Sequence, residues 1–106
     1  MKQLSFYSRF IDDICHGRKT ITLRDKDEID YQPNELVEAI SNPEQQVFAQ
    51  LKIIHVLPVA FDQINQTHAH SENMSLTELK ALIREIYPNE NNFYEIRFEL
   101  HKQQDI

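Results

Sequence analysis

Lys19 and Thr22 stand three residues apart, flanked by Arg18 and Arg24, in the stretch Gly17-Arg18-Lys19-Thr20-Ile21-Thr22-Leu23-Arg24-Asp25. A threonine hydroxyl becomes a nucleophile once a base removes its proton, and a lysine can be that base when its amine is neutral. Burial and neighbouring cations both lower a lysine pKa, and Arg18 and Arg24 are adjacent cations. Glu72, in Ser71-Glu72-Asn73-Met74, adds a carboxyl group able to bind an amine or to protonate a leaving group. Each also has a plainer reading. On the residue pattern alone the plainer readings are preferred: the cationic run as a basic surface strand with Thr22 as a good strand former, and Glu72 as a carboxylate favoured near a helix N-terminus.

Positioning these groups falls to the elements around Gly17, the only glycine of the chain and its one site of cost-free positive φ. It follows the stripe Phe6, Phe10, Ile11 and Ile14, which predicts a strand over residues 4–7 and a helix capped by Ser5 or Ser8 and ending near Cys15. Gly17 then turns the chain out of the helix. A strand follows over residues 20–24, with Ile21 and Leu23 on one face and Thr20, Thr22 and Arg24 on the other. In a regular strand Lys19 would face away from Thr22. The two can meet only if Lys19 lies in the turn after Gly17, before the strand becomes regular. Phe6, close to this turn, is a candidate for stacking on a base; Tyr7 and Phe93 are aromatic too, but their apolar stripes favour packing.

Residues 25–34 read as a polar surface loop, and 36–40 as a short strand. Pro43 sits where a type I turn accepts it. The longest strand covers 47–57, with Val47, Ala49, Leu51, Ile53 and Leu57 on one face, and Pro58 ends it. Residues 61–64 form a helical turn. Residues 65–73 are a polar segment in which His68 and His70 lie in a solvated loop without a third ligand, so no metal is expected. Ser75 and Glu78 form a capping box, with Met74 and Leu79 as its hydrophobic staple, and Tyr87-Pro88 stops the helix. A last strand spans 93–100, with Tyr94, Ile96, Phe98 and Leu100 inward and Glu95, Arg97 and Glu99 outward. Strands and two main helices without βαβ alternation predict an α+β domain whose mostly antiparallel sheet closes as a barrel.

At 106 residues the chain is expected to form one domain, 1–106. Its net charge of −6 works against tracking a phosphate backbone, while leaving room for a small neutral ligand or a local basic pocket. Cys15 is alone, which excludes an internal disulfide or a cysteine zinc cluster. The N-terminus lacks the apolar run of a signal peptide, and no segment reaches membrane-spanning length. A cytoplasmic monomer without membrane contact is expected.

Three blocks carry a resemblance. Phe10 through Asp25, containing Gly17-Arg18-Lys19-Thr20-Ile21-Thr22-Leu23-Arg24, is the first. His68-Ala69-His70-Ser71-Glu72-Asn73-Met74-Ser75-Leu76-Thr77-Glu78-Leu79-Lys80 is the second, and Ile86-Tyr87-Pro88 with Phe93-Tyr94-Glu95-Ile96-Arg97-Phe98 the third. In this order they resemble the ASCH-domain proteins, and specifically the small bacterial N4-acetylcytidine amidohydrolases. The resemblance implies a PUA-like fold, a small mixed β-barrel with flanking helices, and hydrolysis of the acetamide on the exocyclic nitrogen of cytosine. It implies Lys19 as general base, Thr22 as nucleophile and Glu72 as proton donor, without a cofactor. Arg24 or a backbone N–H would stabilise the oxyanion, and Arg18, Arg24 and Phe6 are the expected substrate contacts. A carboxylate-activated water, with Thr22 only binding substrate, is an alternative mechanism. The rival function is a PUA-like RNA-binding module in which Arg18, Lys19 and Arg24 contact phosphates, which the net charge disfavours. In one place the chain departs from the pattern: Asn34-Glu35 replaces a Gly-Asp, and Asn is the next best residue for a left-handed backbone.

Overall fold

In the computed structural model, which describes residues 1–101, runs of alternating apolar residues form five strands. They are β1 (Gln3–Tyr7), β2 (Ile21–Arg24), β3 (Leu36–Asn42), β4 (Val47–Ala60) and β5 (Asn92–Leu100). Three helices accompany them: α1 (Ile11–Cys15), α2 (Gln66–Ser71) and α3 (Leu76–Ile86). The strands order as β1-β3-β4-β5-β2, with β1 parallel to β3 and every other pair antiparallel. One face of the sheet holds Leu4, Phe6, Val37, Leu51, Ile53, Ile96 and Phe98 in a core that also takes in Ile14 of α1. Leu23, Val59 and Phe93 join Ala69, Leu79 and Ile83 in a second core, beneath α2 and α3. Both faces of the sheet are therefore covered at the β2 end.

The edge strands β1 and β2 do not pair with each other. A side chain crosses between them: the Arg24 guanidinium donates through Nη2 to the Ser5 carbonyl. The expected closure of the barrel is thus made by an arginine rather than by a backbone ladder. That unzipped seam is where the site lies.

Several local expectations need correction. β4 runs through Pro58 to Ala60, because residues beyond Ile53 pair with β5 alone, and a one-sided strand tolerates a missing donor. A bulge between Ile53 and His55 flips the pleat, so Leu57 is 51% exposed instead of sharing the face of Ile53. Val47, at the strand's start, is equally open. Phe93, on the opposite parity from Ile96 and Phe98, is buried in the second core, and Glu95 on that same face is largely covered. The Asn42–Pro43 peptide is cis, which is not the type I geometry expected there. Residues 66–71 are helical rather than loop, capped by Asn65, whose side chain accepts from the Thr67 N–H at 2.9 Å.

Other signals are realised as read. Ser75 Oγ accepts from the Glu78 N–H at 3.1 Å and Glu78 Oε1 from the Ser75 N–H at 3.2 Å, closing the capping box, with Met74 packed on the core that holds Leu79. Asn34 takes φ 70°, the left-handed backbone its type permits. Gly17 takes φ 72°, and an added Cβ there would meet no atom within 4 Å. A Gly17→Ala protein is therefore expected to lose only the backbone term, roughly 1 kcal/mol. Urea denaturation measures it, and an unchanged midpoint would show that this turn does not constrain the fold.

Candidate active site

Lys19 reaches the site because the turn after α1 is fixed at both ends. The Asp13 carbonyl accepts from the N–H groups of Arg18 and Lys19 at 2.8 and 3.0 Å. Thr20 then donates its N–H to the Ser71 carbonyl at 2.8 Å and accepts from the Phe98 N–H at 3.0 Å. β2 begins at Ile21, so Lys19 precedes the ladder, as the meeting with Thr22 requires. Its ammonium donates to the Ile21 carbonyl at 2.9 Å and to the Glu72 carboxylate, with which it forms an ion pair. The two side chains are 4% and 5% exposed, so this pair is held out of water.

Glu72 owes its position to the end of α2, not to the start of α3. Asn73 at φ 55° donates its N–H to the His70 carbonyl, and Met74 to that of Ala69, the two bonds of a Schellman ending. Glu72 is the last residue before that turn. A helix C-terminus disfavours a carboxylate, which overturns the dipole reading and leaves Lys19 as the group that balances its charge. Desolvation pushes the Lys19 amine below its usual range; Glu72 opposes that shift, and Arg24 adds to it.

Thr22 and Arg24 share the inner face of β2, two residues apart. Arg24 Nε donates to Thr22 Oγ1 at 2.8 Å, and Nη1 pairs with Glu28 Oε1 at 2.9 Å. Glu28 comes within reach on a 3-10 turn, Lys26–Glu28, which starts at Asp25, whose carboxylate accepts from the Asp27 N–H at 3.1 Å. The other Glu28 oxygen accepts from the Tyr87 hydroxyl at 2.8 Å. Burial, and then Glu28, push the Tyr87 phenol well above its ordinary pKa, so it stays protonated and donating.

These groups line one cavity of about 180 Å³, between the seam of β1 and β2 and the apolar face of α3. Lys19, Thr22, Arg24, Glu72 and Phe6 are all on its wall. Among the described residues Lys19 and Thr22 share no hydrogen bond: Lys19 is turned to Glu72, and the Thr22 oxygen to Arg24. Phe6 is 3% exposed, packed edge-on against Phe98 at 5.7 Å, and lies beneath both Lys19 and Arg24. It floors the cavity and offers no open ring to a base. Tyr7, on the same wall, is 41% exposed and is the aromatic at the mouth, against the packing role expected for it. Arg18 does not line the cavity. Its Nε is paired with Asp13 Oδ1 at 2.9 Å on the surface, apart from the other expected substrate contacts. The pattern of residue types missed Glu28, Tyr87 and Asn42 on the wall. Glu28 reads as one more charge in a polar loop, and Tyr87 as a helix stop; nothing in their spacing joins them.

The two histidines of the second block diverge. His68, on α2, accepts from the Asn65 N–H through Nδ1 at 3.0 Å and approaches Glu95 through Nε2 at 3.6 Å, while His70 is exposed. Neither is on the cavity wall.

No protein-family model matches the chain. The N(4)-acetylcytidine amidohydrolase of Pasteurella multocida is 45% identical over 98 residues, covering 92% of this chain and 94% of that protein. Its counterpart from Vibrio vulnificus is 48% identical over 97 residues, covering 92% and 93%. The ASCH domain from Lactobacillus crispatus superposes with a TM-score of 0.78 over 93% of this chain and 79% of that one, at 15% identity. The Zymomonas mobilis ASCH structure gives 0.72 over 96% and 67%, at 13%. The solved structures share the fold, and the sequence relatives match over more than nine-tenths of both chains at 45% and 48% identity: this chain belongs to the N(4)-acetylcytidine amidohydrolase family.

Proposed function

We propose that the protein hydrolyses N4-acetylcytidine to cytidine and acetate, with Thr22 as nucleophile, Lys19 as general base and Glu72 as proton donor. The observation that carries this is the Lys19–Glu72 pair, buried on the cavity wall that also holds Thr22. A lysine base must be neutral and a carboxyl donor must be protonated. Moving one proton along the existing hydrogen bond from Lys19 to Glu72 makes both at once, and burial lowers the free-energy cost of leaving the ion-paired form. Lys19 then turns from Glu72 to the Thr22 hydroxyl and removes its proton. The alkoxide attacks the acetyl carbonyl, and Arg24, already donating to Thr22 Oγ1, stabilises charge on the reacting oxygens. Glu72 gives its proton to the cytosine nitrogen as the C–N bond breaks. Lys19 passes the proton it took from Thr22 to Glu72 along their hydrogen bond, removes a proton from the water that attacks acetyl-threonine, and returns it to the Thr22 oxygen as acetic acid leaves and ionises in solvent.

The cavity and its charges favour a nucleoside over RNA. At about 180 Å³ it is smaller than the roughly 300–1,000 Å³ of sites that enclose a whole drug-sized ligand, which suits the acylated base with its sugar at the mouth. Each motif cation is already matched by a carboxylate: Arg18 by Asp13, Lys19 by Glu72 and Arg24 by Glu28. A phosphate backbone would have to displace those partners. The direct test is the ultraviolet absorbance of N4-acetylcytidine mixed with the purified protein. Catalytic loss of the acetylated chromophore is expected, whereas no turnover of nucleoside, nucleotide or free base would overturn the reading.

A further inference from the structure

The cavity holds a polar chain whose far end, Glu28 and Tyr87, the reaction as written does not use. It runs from the Tyr87 hydroxyl to Glu28 Oε2, from Glu28 Oε1 to Arg24 Nη1, and from Arg24 Nε to Thr22 Oγ1, with each link between 2.8 and 2.9 Å. It connects the end of α3 to the proposed nucleophile through three side chains. We propose that Glu28 and Tyr87 are positioning residues for Thr22, acting through Arg24; the catalytic part of this proposal rests on the function proposed above.

The argument is one of geometry and donor counting. A guanidinium is a planar fork, so fixing two of its edges fixes the third. The Ser5 carbonyl and the Glu28 carboxylate hold the two terminal nitrogens of Arg24, and Nε is thereby aimed at Thr22. An N–H donated to the threonine oxygen occupies one lone pair and leaves the hydroxyl proton free to point into the cavity, where a base can take it. The same N–H stabilises the alkoxide that results. Glu28 is the weaker anchor by itself, because its side chain is 42% exposed and water competes for it. Tyr87 removes that freedom. Its ring is packed edge-on against Phe93 at 5.4 Å, it ends α3 as the residue after Ile86, and its hydroxyl pins the second carboxylate oxygen. Glu28 is also the counter-charge that allows Arg24, 12% exposed, to sit beside Lys19 at all.

Two variants isolate the chain without touching the reacting groups: Glu28→Gln, which keeps shape and removes charge, and Tyr87→Phe, which keeps the ring and removes the donor. Both are expected to lower kcat on N4-acetylcytidine, by about 30-fold and about fivefold, with KM changed less than roughly twofold. A general loss of structure would add to any other defect. If the effect travels through Arg24, neither variant will lower kcat further once Arg24 is replaced by Met, so a double-mutant cycle reads the coupling directly. A second readout is independent of activity: the Arg24 Nε–H resonance in nitrogen-15 spectra, whose exchange with water is expected to speed up at least several-fold in either variant. An inactive wild type would end the functional reading, and the resonance alone would then decide the positioning. An unchanged resonance in both variants, or additive losses of kcat in the Arg24→Met background, overturns the proposal.

Discussion

Replacing Lys19 by methionine is expected to abolish turnover and to destabilise the fold by about 3–5 kcal/mol. The two losses have different causes. Activity goes with the amine that takes the Thr22 proton. Stability goes because Glu72, 5% exposed at the C-terminal end of α2, keeps its place but loses the only side chain that forms an ion pair with it among the described residues. An uncompensated carboxylate out of water is among the more destabilising things a single substitution can leave behind. The double replacement Lys19→Met with Glu72→Leu separates the effects. A buried ion pair exchanged for apolar groups of similar volume is commonly neutral or stabilising, so the double variant should recover most of the lost stability while remaining inactive. Urea denaturation and the N4-acetylcytidine assay are the two measurements. Recovery of stability without activity identifies the pair as retained for chemistry. A double variant no more stable than Lys19→Met would mean that the pair holds the turn between α1 and β2 in place.

That turn also explains how far the sequence could be read. Local rules carried the elements with a strong chemical marker: the lone Gly17 at φ 72°, the Ser75–Glu78 box, and Asn34 at φ 70°. Lys19 could be placed off the strand because the alternation of Ile21, Thr22, Leu23 and Arg24 has no room for it on the face of Thr22. What could not be read was whatever depends on contacts distant in sequence. α2 is six residues long and buries only Ala69, so it leaves no periodic stripe, and with α2 unseen Glu72 was matched to the wrong helix. The bulge at Ile53 and His55 has no residue signature, and it turns Leu57 outward, while Phe93 is inside because α2 and α3 cover its face of β5. Glu28 and Tyr87 are 59 residues apart and meet only because β2 pairs with β5 while α3 packs across the seam. Arg18 is the opposite case. Adjacency to Lys19 suggested a shared site, whereas its partner Asp13 is five residues back on α1 and draws it to the surface.

Thr22→Ala is expected to lower kcat by about 10³–10⁴-fold, with Thr22→Ser keeping a substantial part of the activity. Serine restores the oxygen that accepts from Arg24 and omits only a methyl group, so its retention would tie the loss to the hydroxyl and not to packing at a residue 5% exposed. The size of the loss alone does not tell attack by Thr22 from attack by a water that Thr22 holds in place. Partitioning does. An acetyl-threonine intermediate is the same whether the acetyl group came from N4-acetylcytidine or N4-acetylcytosine, so added hydroxylamine should intercept it in one constant ratio to water for both substrates. Direct attack by water would give a ratio that changes with the leaving group, because the leaving group would still be present when the acetyl carbon is attacked. The geometry favours the constant ratio. The Thr22 oxygen lies on the cavity wall with one lone pair held by Arg24 Nε at 2.8 Å, which is how a site prepares an alkoxide. A ratio that differs between the two substrates would make Thr22 a substrate contact and transfer the nucleophile's task to a water activated by a carboxylate.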